Sequence, residues 1–145
     1  MRRANLRSME LDESLDLGAY RWKAARLGSA LGAERIGARL YELPDGARTF
    51  PYHFHRAIEE WLVVVSGMPT LRDPDGERVL RGGDVVCFPT GPEGAHQVIG
   101  PGTVLILSAN RDLEVCEYPD SGKVGLSSPR MLFRVSDSVD YWEGE

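Results

Sequence analysis

An all-β sandwich or barrel is the fold class this sequence predicts, on three observations. From Ala38 onward the apolar runs are short, they are numerous, and clusters of Gly, Pro, Asp and Ser separate them. Residues 1–37 are mixed: acidic residues come early, followed by the Ala/Gly/Leu-rich stretch Ala24–Gly37, which suits either a short helix or a loop feeding the first strand. The predicted strands are Arg39–Glu42, Phe50–His55, Glu60–Ser66, Pro69–Asp73, Arg78–Leu80, Asp84–Phe88, His96–Ile99 and Val104–Ala109, with Leu113–Glu117 and Met131–Val135 less clearly marked. Turn signals fall at Pro44-Asp45-Gly46, Asp73-Pro74-Asp75-Gly76, Gly82-Gly83-Asp84, Pro92-Glu93-Gly94, Gly100-Pro101-Gly102 and Pro119-Asp120-Ser121-Gly122.

Composition bounds the class of protein. A chain of 145 residues that is 42% hydrophobic is the size of one domain with one core, so a metal would add function to it and is not needed to rescue an undersized fold. No apolar run approaches the roughly 18–20 residues of a spanning helix. The basic start, Met1–Gly18, has no apolar segment behind it, so no secretion signal is expected and the chain is expected to be cytoplasmic. Cys87 and Cys116 form no CxxC pair and read as two buried strand cysteines in a reducing compartment. A net charge of −5 without a basic cluster argues against a nucleic-acid partner.

All three histidines fall in one pattern, His53-x-His55-x4-Glu60-x6-Gly67, with His96 at the end of a Gly/Pro-rich turn. Neutral imidazoles plus one carboxylate suit a borderline divalent transition metal such as Fe, Mn, Zn, Ni or Cu. Side chains alternate across a strand, so His53 and His55 share a face. Glu60 opens the run Trp61–Val65, and a turn after His55 that folded this strand back antiparallel would set Glu60 against the two imidazoles. Parity then sends Leu62, Val64 and Ser66 inward and Glu59, Trp61, Val63 and Val65 outward. The expected metal ligands are His53, His55, Glu60 and His96. Tyr52 and Trp61 are expected to pack on the outer face. Asp73–Gly76 reads as a hairpin turn, because a calcium loop needs later ligands that are absent. Tyr118–Lys123 reads as a turn lacking the frame of a phosphate loop, and the tail Asp137–Glu145 is expected to dock against the barrel.

The pattern from His53 to Gly67 resembles the first motif of the cupin superfamily at every fixed position, with Gly46 resembling its leading glycine one residue further off than usual. The stretch Gly83-x5-Pro89-x-Gly91-x4-His96 resembles the second motif, with two departures. Four residues stand before the histidine where two are usual, and Gly100 stands where asparagine is common. The resemblance spans roughly residues 38–117, flanked by an N-terminal extension (1–37) and a C-terminal segment (118–145) of one domain. Pieces such as Phe88–Gln97, Tyr118–Lys123 and Asp140–Glu145 resemble small bacterial single-domain cupins without assigned activity. It implies a double-stranded β-helix, or jelly roll, and frequently a homodimer, for which the apolar outer face of residues 61–65 is the expected contact.

Four protein ligands on an ion that accepts six leave about two adjacent positions for a substrate or oxygen. The expected lining is apolar (Leu62, Val64, Val98) with Thr49 and Ser66 as small polar groups. No further carboxylate, lysine or arginine is placed inside by the sequence; Arg48 and Arg134 could enter from the rim, which the sequence does not show. That lining argues against a sugar-phosphate isomerase, which needs cations for the phosphate and a separate base. The expectation is therefore a metal-dependent enzyme (Fe, Mn, Zn or Ni) on a small organic molecule, dioxygenase-type ahead of isomerase or lyase. A noncatalytic binding or sensing module is the alternative, and a structural protein retaining the site without turnover a third reading. No membrane partner is expected, and no catalytic residue is singled out beyond the ligands.

Overall fold

A computed structural model describes the whole chain, Met1 to Glu145. Its strands are β1 (Glu13–Leu17), β2 (Tyr20–Ala25), β3 (Ile36–Leu43), β4 (Phe54–His55), β5 (Glu60–Gly67), β6 (Thr70–Asp73) and β7 (Gly76–Val79), followed by β8 (Val85–Phe88), β9 (Gln97–Ile99), β10 (Gly102–Ala109), β11 (Val115–Tyr118), β12 (Lys123–Leu126) and β13 (Met131–Arg134). One short helix, α1 (Leu27–Leu31), lies between β2 and β3. The strands form a six-stranded sheet in the order β1-β2-β3-β10-β5-β8, a four-stranded sheet β13-β12-β11-β4 and a three-stranded sheet β7-β6-β9. This is the all-β double-stranded β-helix that the motifs implied. No helix is long and apolar enough to cross a membrane.

The core follows from strand alternation. Along β5, Leu62 and Val64 are fully buried while Trp61 is exposed. Their face meets Tyr41 and Leu43 of β3, Val104 and Ile106 of β10, Leu71 of β6, Phe88 of β8 and Val98 of β9 in one apolar cluster. Burying side chains of this size contributes roughly 1.5–3 kcal/mol each, so this cluster is the main term holding the sheets together. Tyr52 is buried on the other side with Phe54 and Ala95, under the guanidinium of Arg72.

Several expectations need correction. The N-terminal extension is part of the main sheet: β1 pairs with β2, and β2 with β3. Tyr20, Trp22 and Ala24 alternate with exposed Arg21 and Lys23, which is half-buried strand patterning. The stretch Ala24–Gly37 resolves into the end of β2, helix α1 and the start of β3. The strand expected over Phe50–His55 is regular only at Phe54–His55, since Pro51 has no N–H to give a ladder. Ser66 points outward because the β5–β10 register shifts between Thr103 and Val104, pairing Val104 with Val64 but Thr103 with Ser66. The bulge at Val65 reverses parity beyond it. The tail does not dock: Val139, Tyr141 and Trp142 are all exposed, and the tail's backbone bonds stay within residues 135–145 except for one from Val135 to Gly122. Nor are the cysteines both buried, since Cys87 is exposed on β8 and Cys116 is partly covered on β11.

Candidate metal centre

His53 and His96 are brought together by the backbone itself. They form an isolated antiparallel bridge in which His96 N–H donates to the His53 carbonyl (2.8 Å) and His53 N–H donates to that of His96 (3.2 Å). Residues directly opposite in such a bridge project to one side. His55, two residues on from His53, joins that side. Glu60 reaches the imidazoles by a different route from the expected hairpin: β5 pairs with β8 and β10, so the carboxylate comes from the six-stranded sheet while His55 stands on the four-stranded one. Glu60 Oε2 lies 3.4 Å from His55 Nε2 and 3.3 Å from His96 Nε2. The ligating atoms of His53, Glu60 and His96 all lie within 4.8 Å of one another.

The longer turn before His96 is built for its task. Gly94 lies so close to Pro89 that a Cβ would stand 1.8 Å from the Pro89 carbonyl oxygen, so only glycine permits this path. The carbonyl of Gly94 then accepts from His96 Nδ1 at 2.8 Å. Gly100, in the place where asparagine is common, has its own cause: a Cβ there would stand 2.1 Å from the Pro44 carbonyl oxygen.

Each imidazole is fixed through Nδ1. His53 Nδ1 lies 2.8 Å from the Pro51 carbonyl oxygen, His96 Nδ1 donates to Gly94, and His55 Nδ1 lies 3.1 Å from Glu114 Oε1. With the proton on Nδ1 in every ring, the three Nε2 lone pairs remain for a cation, the arrangement that orients metal-bound histidines. Phe88 stacks on His96 (centroids 3.7 Å, 7°), and Tyr118 stacks on His53 at 6.0 Å. Two ligand atoms at about 2.1 Å from one ion stand roughly 3 Å apart at right angles, close to the Glu60 distances. The donor set therefore fits a divalent ion.

Electrostatics agree with that chemistry. Burial, helped by the neighbouring imidazoles of His96 and His55, pushes His53 down to about 4, so it is neutral at physiological pH. Burial also disfavours charge on His55, but the Glu60 and Glu114 carboxylates prevail and raise it. Burial would raise Glu60, yet the neighbouring imidazoles of His55 and His96 hold it far below the usual carboxylate range. The acid is thus an anion and His53 a neutral donor, the forms a metal requires.

Above this centre opens a cavity of about 1130 Å³. Its walls differ from the expected apolar lining. Thr49 lines the space as expected, but Leu62, Val64 and Val98 lie in the closed core, and Tyr41, Phe50 and Ile106 line the space together with Arg26, Arg39, Arg111 and Arg130. Arg48 and Arg134 are exposed and take no part. Arg26 and Arg39 share a single carboxylate, Glu13, while Arg111 and Arg130 have no acidic partner. Against Glu60 and Glu114 on the same wall, the four guanidiniums leave a small excess of positive charge, and Arg26, Arg111 and Arg130 are exposed.

Sequence reading missed the face of β11. Glu114, Cys116 and Tyr118 recur at every second position and line the cavity beside the imidazoles. Glu114 is 6% exposed and accepts three hydrogen bonds, from His55 Nδ1, Arg56 N–H (2.9 Å) and Ala57 N–H (3.0 Å). Burial raises the Cys116 thiol to about 11 and raises the Tyr118 phenol as well. The period-two spacing Glu-x-Cys-x-Tyr was the available signal.

Fold and site define an all-β container with an imidazole–carboxylate cluster on its inner wall. Residues 39–110 match the family model described as Cupin domain, and the chain belongs to the cupin superfamily. Among solved structures it is similar to a sugar phosphate isomerase of the cupin superfamily from Silicibacter pomeroyi (TM-score 0.81, 26% identity, covering 94% of this chain and 95% of that one). A candidate sugar phosphate isomerase from Acidithiobacillus ferrooxidans is also similar (TM-score 0.77, 26% identity, 84% of this chain and 81% of that one). The polyketide cyclase RemF from Streptomyces resistomycificus shares the fold alone (TM-score 0.56, 19% identity, 75% and 78%). No curated protein matches the chain.

Proposed function

We propose that this chain is a metal-dependent enzyme in which His53, His55, Glu60 and His96 hold a divalent transition ion, of the Fe, Mn, Zn or Ni kind, and that it isomerises a small phosphorylated or otherwise anionic polyhydroxy aldehyde or ketone. The observation that carries the reading is the set of four guanidiniums lining the cavity, Arg26, Arg39, Arg111 and Arg130, which outnumber the carboxylates Glu60 and Glu114 of the same lining together with Glu13, the ion-pair partner of Arg26 and Arg39. Guanidinium forks match phosphate and carboxylate geometry. The apolar lining expected from sequence argued against an isomerase for want of both cations and a separate base; the arginines supply the cations. Two structures at 26% identity that carry the sugar phosphate isomerase name support the same direction. The dioxygenase reading rested on an apolar lining, and the comparisons give it no support.

A bound ion would polarise a carbonyl or hydroxyl oxygen and ease loss of a neighbouring proton. The chain's own part is to hold the anionic end of the substrate on Arg111 and Arg130, to keep the three rings oriented through Pro51, Gly94 and Glu114, and to exclude water with Tyr41, Phe50 and Ile106. Tyr41, Cys116 and Tyr118 are the remaining proton-bearing groups on the wall.

Protein loaded with Mn²⁺, Fe²⁺, Zn²⁺ or Ni²⁺ and incubated with aldose and ketose phosphates in D₂O tests this. Ion-dependent deuterium incorporation beside the carbonyl is expected, with weaker substrate binding in Arg111→Ala and Arg130→Ala. Oxygen uptake with an organic acid or phenol would return the reading to an oxygenase. Tight ligand retention without turnover would make the chain a binding or sensing module. The same proposal includes a cytoplasmic homodimer joined through the outer face, where Trp61 and Val85 are exposed; sedimentation equilibrium checks the assembly.

A further inference from the structure

We propose that the cavity contains a second metal-binding set, His53, His55 and Cys116, which takes a thiophilic divalent ion of the zinc or cadmium kind. The set shares two histidines with the centre proposed above but needs neither Glu60 nor His96.

Strand register places the thiol. β11 pairs antiparallel with β4 so that Cys116 stands directly opposite His55, and Glu117 opposite Phe54. Directly paired residues project from the same face, so Cys116 is on the cavity side with His55, and with His53 two residues earlier. Phe54 and Glu117 go to the other side. The ligating nitrogens of His53 and His55 and the Cys116 sulfur all lie within 4.8 Å of one another. Cys116 also lines the cavity, so an ion has a path to it.

Chemistry separates the two sets. Glu60 offers a hard oxygen and favours ions such as Mn²⁺, whereas a thiolate favours zinc-group ions. On binding, the Cys116 S–H bond breaks, its proton passes to the buffer, and a sulfur–metal bond forms without change of oxidation state. Two imidazoles and one thiolate leave a tetrahedral ion one open position, the pattern of catalytic zinc sites with three protein ligands. Since His53 and His55 serve both sets, occupancy of one by a thiophilic ion withdraws ligands from the other. Zinc-group ions are therefore expected to displace Mn²⁺.

Co²⁺ titration of the full-length Cys87→Ser protein tests the proposal, because Cys116 is then the sole thiol. A near-ultraviolet thiolate-to-Co²⁺ charge-transfer band is expected, saturating at one ion per chain. It should persist in Glu60→Gln and His96→Ala and vanish in Cys116→Ser. Mn²⁺ should bind without any such band, with an affinity that Cys116→Ser leaves unchanged; that also shows the variant is folded. Co²⁺ binding without a thiolate band overturns the second set and leaves the Glu60–His96 centre standing. A band that disappears in Glu60→Gln also overturns it, by making Cys116 an accessory ligand of the first centre. No Co²⁺ binding at all overturns both.

Discussion

Replacing Glu114 with glutamine keeps the side chain's volume while removing its charge and one acceptor. In the native site Oε1 accepts from His55 Nδ1 at 3.1 Å and from Arg56 N–H at 2.9 Å, and Oε2 accepts from Ala57 N–H at 3.0 Å. The amide has one oxygen, so it can serve the first pair or the last donor, and its NH₂ must then face a buried N–H. The side chain is only 5% exposed, which leaves no room for water to repair the mismatch. One unsatisfied buried donor costs about 1–3 kcal/mol, which for a chain of this size lowers Tm by roughly 3–10 °C. The His55 ring also loses its anchor, and loss of such an outer partner weakens metal binding about 10- to 100-fold. Circular dichroism melting of metal-free protein and calorimetric titration with Mn²⁺ read the two effects separately. A glutamine variant with unchanged melting and unchanged affinity would refute the claim that Glu114 orients the site.

Other perturbations discriminate further. Glu60→Ala should abolish most metal occupancy measured by elemental analysis, while Glu59→Ala should leave it near wild type, because Glu59 accepts from Trp61 Nε1–H at the surface. In metal-free protein, His53 is held at about 4 against an ordinary 6.5, so the unfolded chain binds this proton more readily than the folded one. That contribution, roughly 3 kcal/mol at most, is full above about pH 6.5 and is lost as pH falls toward 4. His55, raised by its carboxylates, acts in the opposite sense. Urea midpoints measured across this range should fall with pH, and His53→Asn should flatten the fall. Leu62→Ala, at a fully buried position between sheets, should cost roughly 2–5 kcal/mol in denaturant unfolding. His96→Ala should weaken metal binding in titration yet leave a folded chain, since the apolar cluster does not include it.

The parts of this molecule legible in sequence are those governed by period-two alternation and turn residues. Leu62 and Val64 fell inside and Trp61 outside because β5 is regular up to its bulge. Ser66 failed because a bulge leaves no mark in a run of valines. β1 and β2 were hidden by a charged start, although Trp22 and Ala24 alternate with Arg21 and Lys23. The imidazoles and Glu60 stood out through rarity and spacing, but the partner strands did not: pairing of β4 with β11 joins residues about sixty positions apart, a contact no local pattern encodes. For that reason Glu114, Cys116 and Tyr118 went unnoticed. The arginines of the wall come from β3, the residues before α1 and the segments flanking β11 and β12, so their convergence is a property of topology alone.

β13 is the outermost strand of its sheet, and its residues from Met131 to Arg134 are all exposed, yet Met131 and Leu132 form part of the cavity rim. Substitutions there alter the shape of the cavity rim without passing through the apolar cluster that decides folding, since that cluster draws nothing from β12 or β13. The molecule thus separates what it must preserve from what it can vary. A lineage could reshape the cavity mouth along this border by single replacements, each nearly neutral for the stability of the scaffold.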